Sequence, residues 1–373
     1  MHEHAPIQDF HGDRLRLARM LASLSLDDLG GMVGVSRQFI HRLETNANEP
    51  TSDLRAALSA ALEVTPGFFA SPVVHPVRED DCHFRRLATA PRTILAQAAA
   101  RGTIVEALVD ALDKRLRLPT VDFPEATNPS SLEEVEAIAE EARRYWRLGL
   151  DAPIISMTRV VENAGAVVIH FDDISDRIDA LSIARRRPLI VRSSAKAAAV
   201  RLRFDLAHEA GHLVMHQGLI TGDKATEEQA HRFASAFLIP RTAFAKEFPR
   251  TKRILDWSGL FNMKLRWKVS VRAIVRRAFD LGLVDAAQYR TANIHLMKTG
   301  QAKAERFDDT LEPERPELLH TALGMLAERD LPGLHRMLDD LGMSEALFAR
   351  ITGFSVPPLP ENIMIFGGSS RRS

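Results

Sequence analysis

The feature that most limits how this chain can fold is the punctuation of residues 13–69, where glycine, serine and proline interrupt apolar periodicity too often for any long helix. DRLRLARMLASL (13–24) sets Leu15, Ala18, Leu21 and Ala22 at helical spacing, and LDDLGGMVG (26–34) follows with Leu29 and Val33 on one side. Gly34 supplies a turn, and Ser36 can cap the next helix, RQFIHRLE, whose Ile40 and Leu43 face inward. TNANEP breaks the chain again. Ser52 is the expected cap of a fourth helix bearing Leu54, Leu58 and Leu62, and TPGFF begins a fifth element.

This order of short helices, with VGVSRQFIHRLE at the third, resembles the Cro/CI (XRE-type) helix-turn-helix family along residues 13–69. The resemblance implies a double-stranded DNA operator as partner. It directs Arg37, Gln38, His41 and Arg42, behind Ser36, at a major groove, where Arg and Gln make bidentate base contacts. Charge sets a condition on that expectation. Residues 1–70 carry six basic side chains against nine acidic ones, so general affinity for phosphate is low and binding needs a homodimer or a well-matched site. The competing reading is a small helical bundle used only for dimerisation.

Residues 71–130 read as a connector containing one apolar-periodic helix from about Thr93 to Leu116, then a proline-rich linker, LPTVDFPEATNPSS. Cys82 and His83 have no second pair at metal spacing and read as structural. A single cysteine in 373 residues excludes an internal disulfide framework. No stretch approaches a membrane span, and the first residues lack an apolar signal core, so a cytoplasmic protein with no membrane partner is expected. Basic and acidic residues balance at 49 each and point to no charged partner.

A second domain opens with a helix that Ser131 and Glu134 can cap and that Gly149 stops. MTRVVENAG reads as another helix, and AVVIHF, DALSIA and PLIVR read as three short strands, giving an α+β domain. DLAHEAGHLVMH (205–216) comes next. On a helix, His208 and His212 lie one turn apart on the same face, so both imidazoles can reach one ion at about 2.0 Å. Glu209 stands beside that ion and can take a proton from water that zinc acidifies to a pKa of about 7. Ala210 and Gly211 are expected to leave the substrate side open. His216 lies about 12 Å from His208 along the axis, too far to share the ion, and reads as a helix-end histidine. The following helix, for which Thr226 is the expected cap, carries Glu227 on the same face as Ala230, Phe233, Ala234 and Phe237. Glu227 is the candidate third ligand; the competing reading is that Glu227 and Glu228 only complement the positive end of the helix.

From AVVIHFDDISDRIDALSIARRRPLIV through RFDLAHEAGHLVMH and EEQAHRFASAFLIPRTAF to KLRWKVSVRAIVRRAFDLGLV, residues 166–284 resemble the ImmA/IrrE family of zinc metallopeptidase-like proteins. The resemblance implies one Zn2+ per chain held by His208, His212 and Glu227, with Glu209 as the base, a gluzincin-like endopeptidase arrangement. His231, four residues after Glu227, is then expected to orient a ligand. The whole chain is expected to be mostly α and multi-domain. An all-α helix-turn-helix bundle (1–70) and a helical connector and linker (71–130) precede an α+β zincin-like metallopeptidase domain with a small sheet (131–300) and a C-terminal helical appendage with a mobile tail (301–373). Three functions fit. One is a regulator whose zinc endopeptidase cleaves a partner regulator or itself in response to a signal such as stress. Another is a repressor or antitoxin whose peptidase-like domain senses a metal, ligand or partner without turnover. The last is a metallohydrolase whose N-terminal bundle merely dimerises.

Overall fold

The computed structural model describes residues 10–78, 82–84, 92–126, 128–171, 180–183, 185–193, 198–219, 221–249, 255–302 and 304–360. In chain order its elements are α1 (Gly12–Leu21), α2 (Leu26–Val33), α3 (Arg37–Glu44), α4 (Ser52–Leu62), β1 (Cys82–Phe84), α5 (Arg92–Asp113), α6 (Leu132–Tyr145), α7 (Met157–Asn163), β2 (Val167–Phe171), β3 (Ala180–Ile183), β4 (Leu189–Ser193), α8 (Ala199–Met215), α9 (Lys224–Leu238), α10 (Arg241–Glu247), α11 (Trp257–Trp267), α12 (Val271–Asp280), α13 (Ala286–Lys298), α14 (Leu318–Leu341) and α15 (Glu345–Thr352). They group into two compact units, one within Met1–Glu79, Pro91–Leu118 and Leu318–Ser373, the other within Asp80–Ala90 and Pro119–Glu317. The expected tail GGSSRRS and the side chains of Cys82 and His83 lie outside the described residues.

In the first unit the short helices form where the turn residues permit. Ser25 and Asp28 cap α2 reciprocally, Gly34 ends it in the left-handed conformation, and the Ser36 hydroxyl accepts the Phe39 N–H at 3.2 Å to open α3. Leu15, Leu29, Ile40, Leu43 and Leu58 are fully buried, and Arg19 forks onto Glu44 to tie α1 to α3. The cap of α4 is Thr51 rather than Ser52, because the Thr51 hydroxyl is the one that reaches the Leu54 N–H.

The C-terminal helices belong to the same compact unit. Met343 pairs with Val64, the Thr65 N–H donates to the Gly342 carbonyl at 3.0 Å, and Arg350 pairs with Glu63, so these helices close the same core as α1–α4. Gly342 is required there: its φ is +66° and a Cβ would lie 2.3 Å from the Phe68 Cα. α14 combines two segments that the sequence suggests as separate helices. The two meet at a kink: Asp330 leaves helical geometry ahead of Pro332, ending the first, and caps the second by accepting the Gly333 N–H.

The second unit contains a four-stranded sheet in the order β1-β3-β4-β2, with β2 and β4 parallel and the other pairs antiparallel. Three strands are legible from the sequence. The fourth, β1, comes from the connector and pairs His83 with Ser182, so β3 is hydrogen-bonded on both sides. Its hydrophobic core includes Val135, Leu206, Phe233, Phe237, Phe244 and Trp267 from the helices and Val168 and Ile190 from the sheet.

Buried charges join these helices. Arg277 forks onto Glu136 at 2.9 and 3.0 Å, and Arg232 reaches both Glu136 (2.6 Å) and Asp280 (3.2 Å), which links α6, α9 and α12. Arg143 is buried with its guanidinium donating to the carbonyls of Phe237, Gly149 and Ala152. Burial draws its pKa down to about 10.

Glu314 pairs with Arg203 and accepts the Thr158 N–H at 2.7 Å. Burial alone would raise its pKa, but the guanidinium and the backbone N–H groups outweigh burial and hold it below the ordinary value. A depressed folded pKa contributes stability that is full above the unfolded value and is lost as pH falls through the folded one. Glu314→Gln should therefore cost about 1.5–3 kcal/mol at pH 7. Wild type should lose more stability than the variant on acidification below about pH 4.5. Urea unfolding of both proteins between pH 7 and pH 3 checks this; parallel curves would refute it.

Candidate metal centre and nucleic-acid interface

α8 forms because apolar residues recur at helical spacing from Val200 to Met215, and nearly all of this helix is buried. That burial takes His208, Glu209 and His212 out of solvent, at 0%, 1% and 2% exposure. The helix α9 begins earlier than its sequence suggests. Asp223 is the cap, accepting the Ala225 and Thr226 N–H groups, so Thr226 lies inside the first turn with Glu227. Gly211 lies against α9, where a Cβ would approach Phe233 to 2.9 Å, and Ala210 is fully buried. Gly211 therefore lets the two helices pack closely, and neither residue opens a substrate side.

The close packing brings three donors together. His208 Nε2 and His212 Nε2 are 3.1 Å apart, and the Glu227 oxygens lie 3.5 Å from the first and 3.4 Å from the second. One donor atom from each residue can be chosen with all three within 4.8 Å of one another. Ligands at about 2.0–2.1 Å around a tetrahedral zinc stand about 3.3–3.4 Å from one another, so the donors are of the right type and close to the right spacing. Burial works to raise the Glu227 pKa, but the His208 and His212 imidazoles beside it prevail and lower it to about 2, which keeps it a carboxylate.

Around these donors, Glu209 accepts a hydrogen bond from the buried hydroxyl of Ser182 on β3, which orients one carboxylate oxygen. His231 contacts the His208 ring almost perpendicularly, with centroids 5.4 Å apart, and its ring also lies 5.1 Å from that of Phe204. Glu227 and His231 line a cavity of about 900 Å³ together with Phe204, Glu228, Arg201 and Arg272. His216 is the C-terminal cap of α8 and is not among the grouped donors. Its ring is fully buried, with Nδ1 2.9 Å from His212 Nδ1 and Nε2 2.8 Å from Gln229 Oε1. The signal was present in the sequence, since His216 follows His212 at the spacing that pairs His212 with His208.

On α3, Arg37, Gln38, His41 and Arg42 are exposed on one face, with Ser36 exposed at its head. The Ser36 hydroxyl is engaged as the cap, and Arg37 lies 3.3 Å from Asp27, an exposed pair of small energetic weight that a phosphate or base can replace.

Comparison with known families assigns both regions. Residues 15–69 match the family model described as helix-turn-helix, of the XRE type, and residues 161–279 match that described as IrrE N-terminal-like domain. Comparison with curated proteins gives no match. Among the described residues no helix is long and apolar enough to cross a membrane.

Proposed function

We propose that this chain, which joins an XRE-type helix-turn-helix to an IrrE N-terminal-like domain, is a DNA-binding transcriptional regulator with a signal-responsive zinc endopeptidase that cuts a partner regulator or the chain itself. The observation that carries the reading is the meeting of His208, His212 and Glu227 beside Glu209. One zinc per chain would be held by those three side chains. It would supply Lewis acidity, polarising a peptide carbonyl and making water acidic enough for a carboxylate to deprotonate. Glu209 takes that proton and returns it to the leaving amine, while Ser182 fixes its carboxylate plane. His208 and His212 act as neutral donors and Glu227 as an anionic one. The acidic balance of residues 1–70 favours operator binding as a homodimer, through Arg37, Gln38, His41 and Arg42. Such a protein would work in the cytoplasm.

A second reading, a sensor without turnover, is favoured by two observations. β3, the strand that touches Glu209, has β1 and β4 on its two edges, so a substrate strand can add to it only if β1 leaves. Glu209 itself is almost wholly buried.

Elemental analysis of the full chain purified with zinc should give one zinc per chain, and Glu227→Ala should weaken binding on the order of a hundredfold or more. A metal-free wild type would remove the enzymatic reading. Failure to shift any DNA from the protein's own promoter would remove the regulator.

A further inference from the structure

We propose that His216 is a positioning residue that fixes the tautomer of His212, holding the proton on Nδ1 and leaving Nε2 bare for the metal. The inference rests on the reading of His212 as a ligand. It begins at a carbonyl remote from the centre. The Pro129 carbonyl can only accept, and the Gln229 side-chain amide donates to it at 2.8 Å. This sets the amide orientation and turns Gln229 Oε1 toward His216 Nε2, 2.8 Å away. An amide oxygen carries no hydrogen, so His216 Nε2 must be the donor.

A neutral imidazole has one N–H, and with it on Nε2 the Nδ1 of His216 can only accept. That nitrogen lies 2.9 Å from His212 Nδ1, so His212 donates there. The lone pair of His212 then falls on Nε2, which faces His208 Nε2 at 3.1 Å and Glu227 Oε1 at 3.4 Å. The His216 side chain is fully buried, where a neutral ring is favoured over a charged one. The direction of each hydrogen bond in the series is thus set by a backbone group that has no alternative role. Metal-bound histidines commonly donate their second N–H to an oxygen; here a third histidine, itself anchored, takes that place.

The test uses the full chain and two readouts. In zinc-free protein, imidazole nitrogen NMR should show His212 protonated on Nδ1, and His216→Phe should move that proton wholly or partly to Nε2. Zinc affinity, measured by competition with a chromophoric chelator, should fall about 10–100-fold in His216→Phe. His216→Gln, whose amide oxygen can accept from His212, should recover most of the loss. Should His216→Phe fail to fold, Gln229→Leu at the half-buried end of the series should give a mixed His212 tautomer and a smaller loss of affinity. The inference is overturned if His212 carries its proton on Nε2 in the wild type, or if the wild type binds zinc and His216→Phe, or Gln229→Leu in its stead, binds it within twofold. A wild type that binds no zinc while showing the Nδ1 tautomer removes the metal reading and leaves the relay standing.

Discussion

Glu209→Gln is expected to bind zinc as wild type does and to lose peptide cleavage by a factor on the order of 10²–10⁴, the range that a positioned general base contributes. The substitution is nearly isosteric and can keep a hydrogen bond with Ser182, so fold and metal site should persist while the proton acceptor is gone. Three measurements decide the outcome together: zinc content, rate of appearance of a cut product from co-expressed or self substrate, and transcription from the target promoter. Unchanged zinc with lost cleavage and lost induction supports proteolysis as the output. Unchanged induction in the variant would mean that the domain signals without cutting, and the sensor reading would replace the enzymatic one. Because the variant should bind substrate without releasing product, it also serves to capture the cleaved partner.

Glu136→Ala should be the most destabilising single change of a charged residue in the second unit, costing about 3–5 kcal/mol. The carboxylate is 1% exposed and balances two guanidiniums, Arg277 at 1% and Arg232 at 11% side-chain exposure, on two other helices. Its loss leaves buried positive charge with too little compensation, which costs more than the pair itself contributes. In a unit of this size the melting transition should drop by roughly 6–20 °C. Replacing Glu136 and Arg277 together by Leu and Met should restore much of the lost stability, since a buried ion pair and well-packed apolar side chains of similar volume differ little. Differential scanning calorimetry of the single and double variants checks both statements. A single variant that melts within two degrees of wild type would show that solvent reaches the network.

α9 carries Arg232 five residues after Glu227, so damage to the network should also disturb Glu227, the proposed third metal donor. What could be read in the sequence and what could not divide along the same physical line. The helices α1–α4, the histidine helix and the choice of Glu227 depend on local periodicity, caps and one helical face, all written in neighbouring residues. β1 was hidden because a three-residue strand within a connector has no periodicity of its own and exists only through its partner β3. Arg143, Arg203, Lys264 and Arg277 gave no sign of burial, since each is compensated by groups far along the chain. Gly211 reads as open space on its own helix, but that space is taken by Phe233 of the next. The axial distance that keeps His216 from the ion carries no information about its side-on contact with His212.

The pairing of Val64 with Met343 has a further implication for any self-cleavage. Since α14 and α15 complete the core around Phe68, the helix-turn-helix unit is built from segments on either side of residues 119–317, which belong to the IrrE-like unit. A nick anywhere from 119 to 317 would divide the backbone yet leave the reading lobe assembled from two fragments, so scission alone need not free the promoter. Conversely, a fragment stopping after residue 118 would strip Phe68 of its cover and be prone to clump, which makes tail removal, rather than mid-chain scission, the more direct way to inactivate the DNA-reading half.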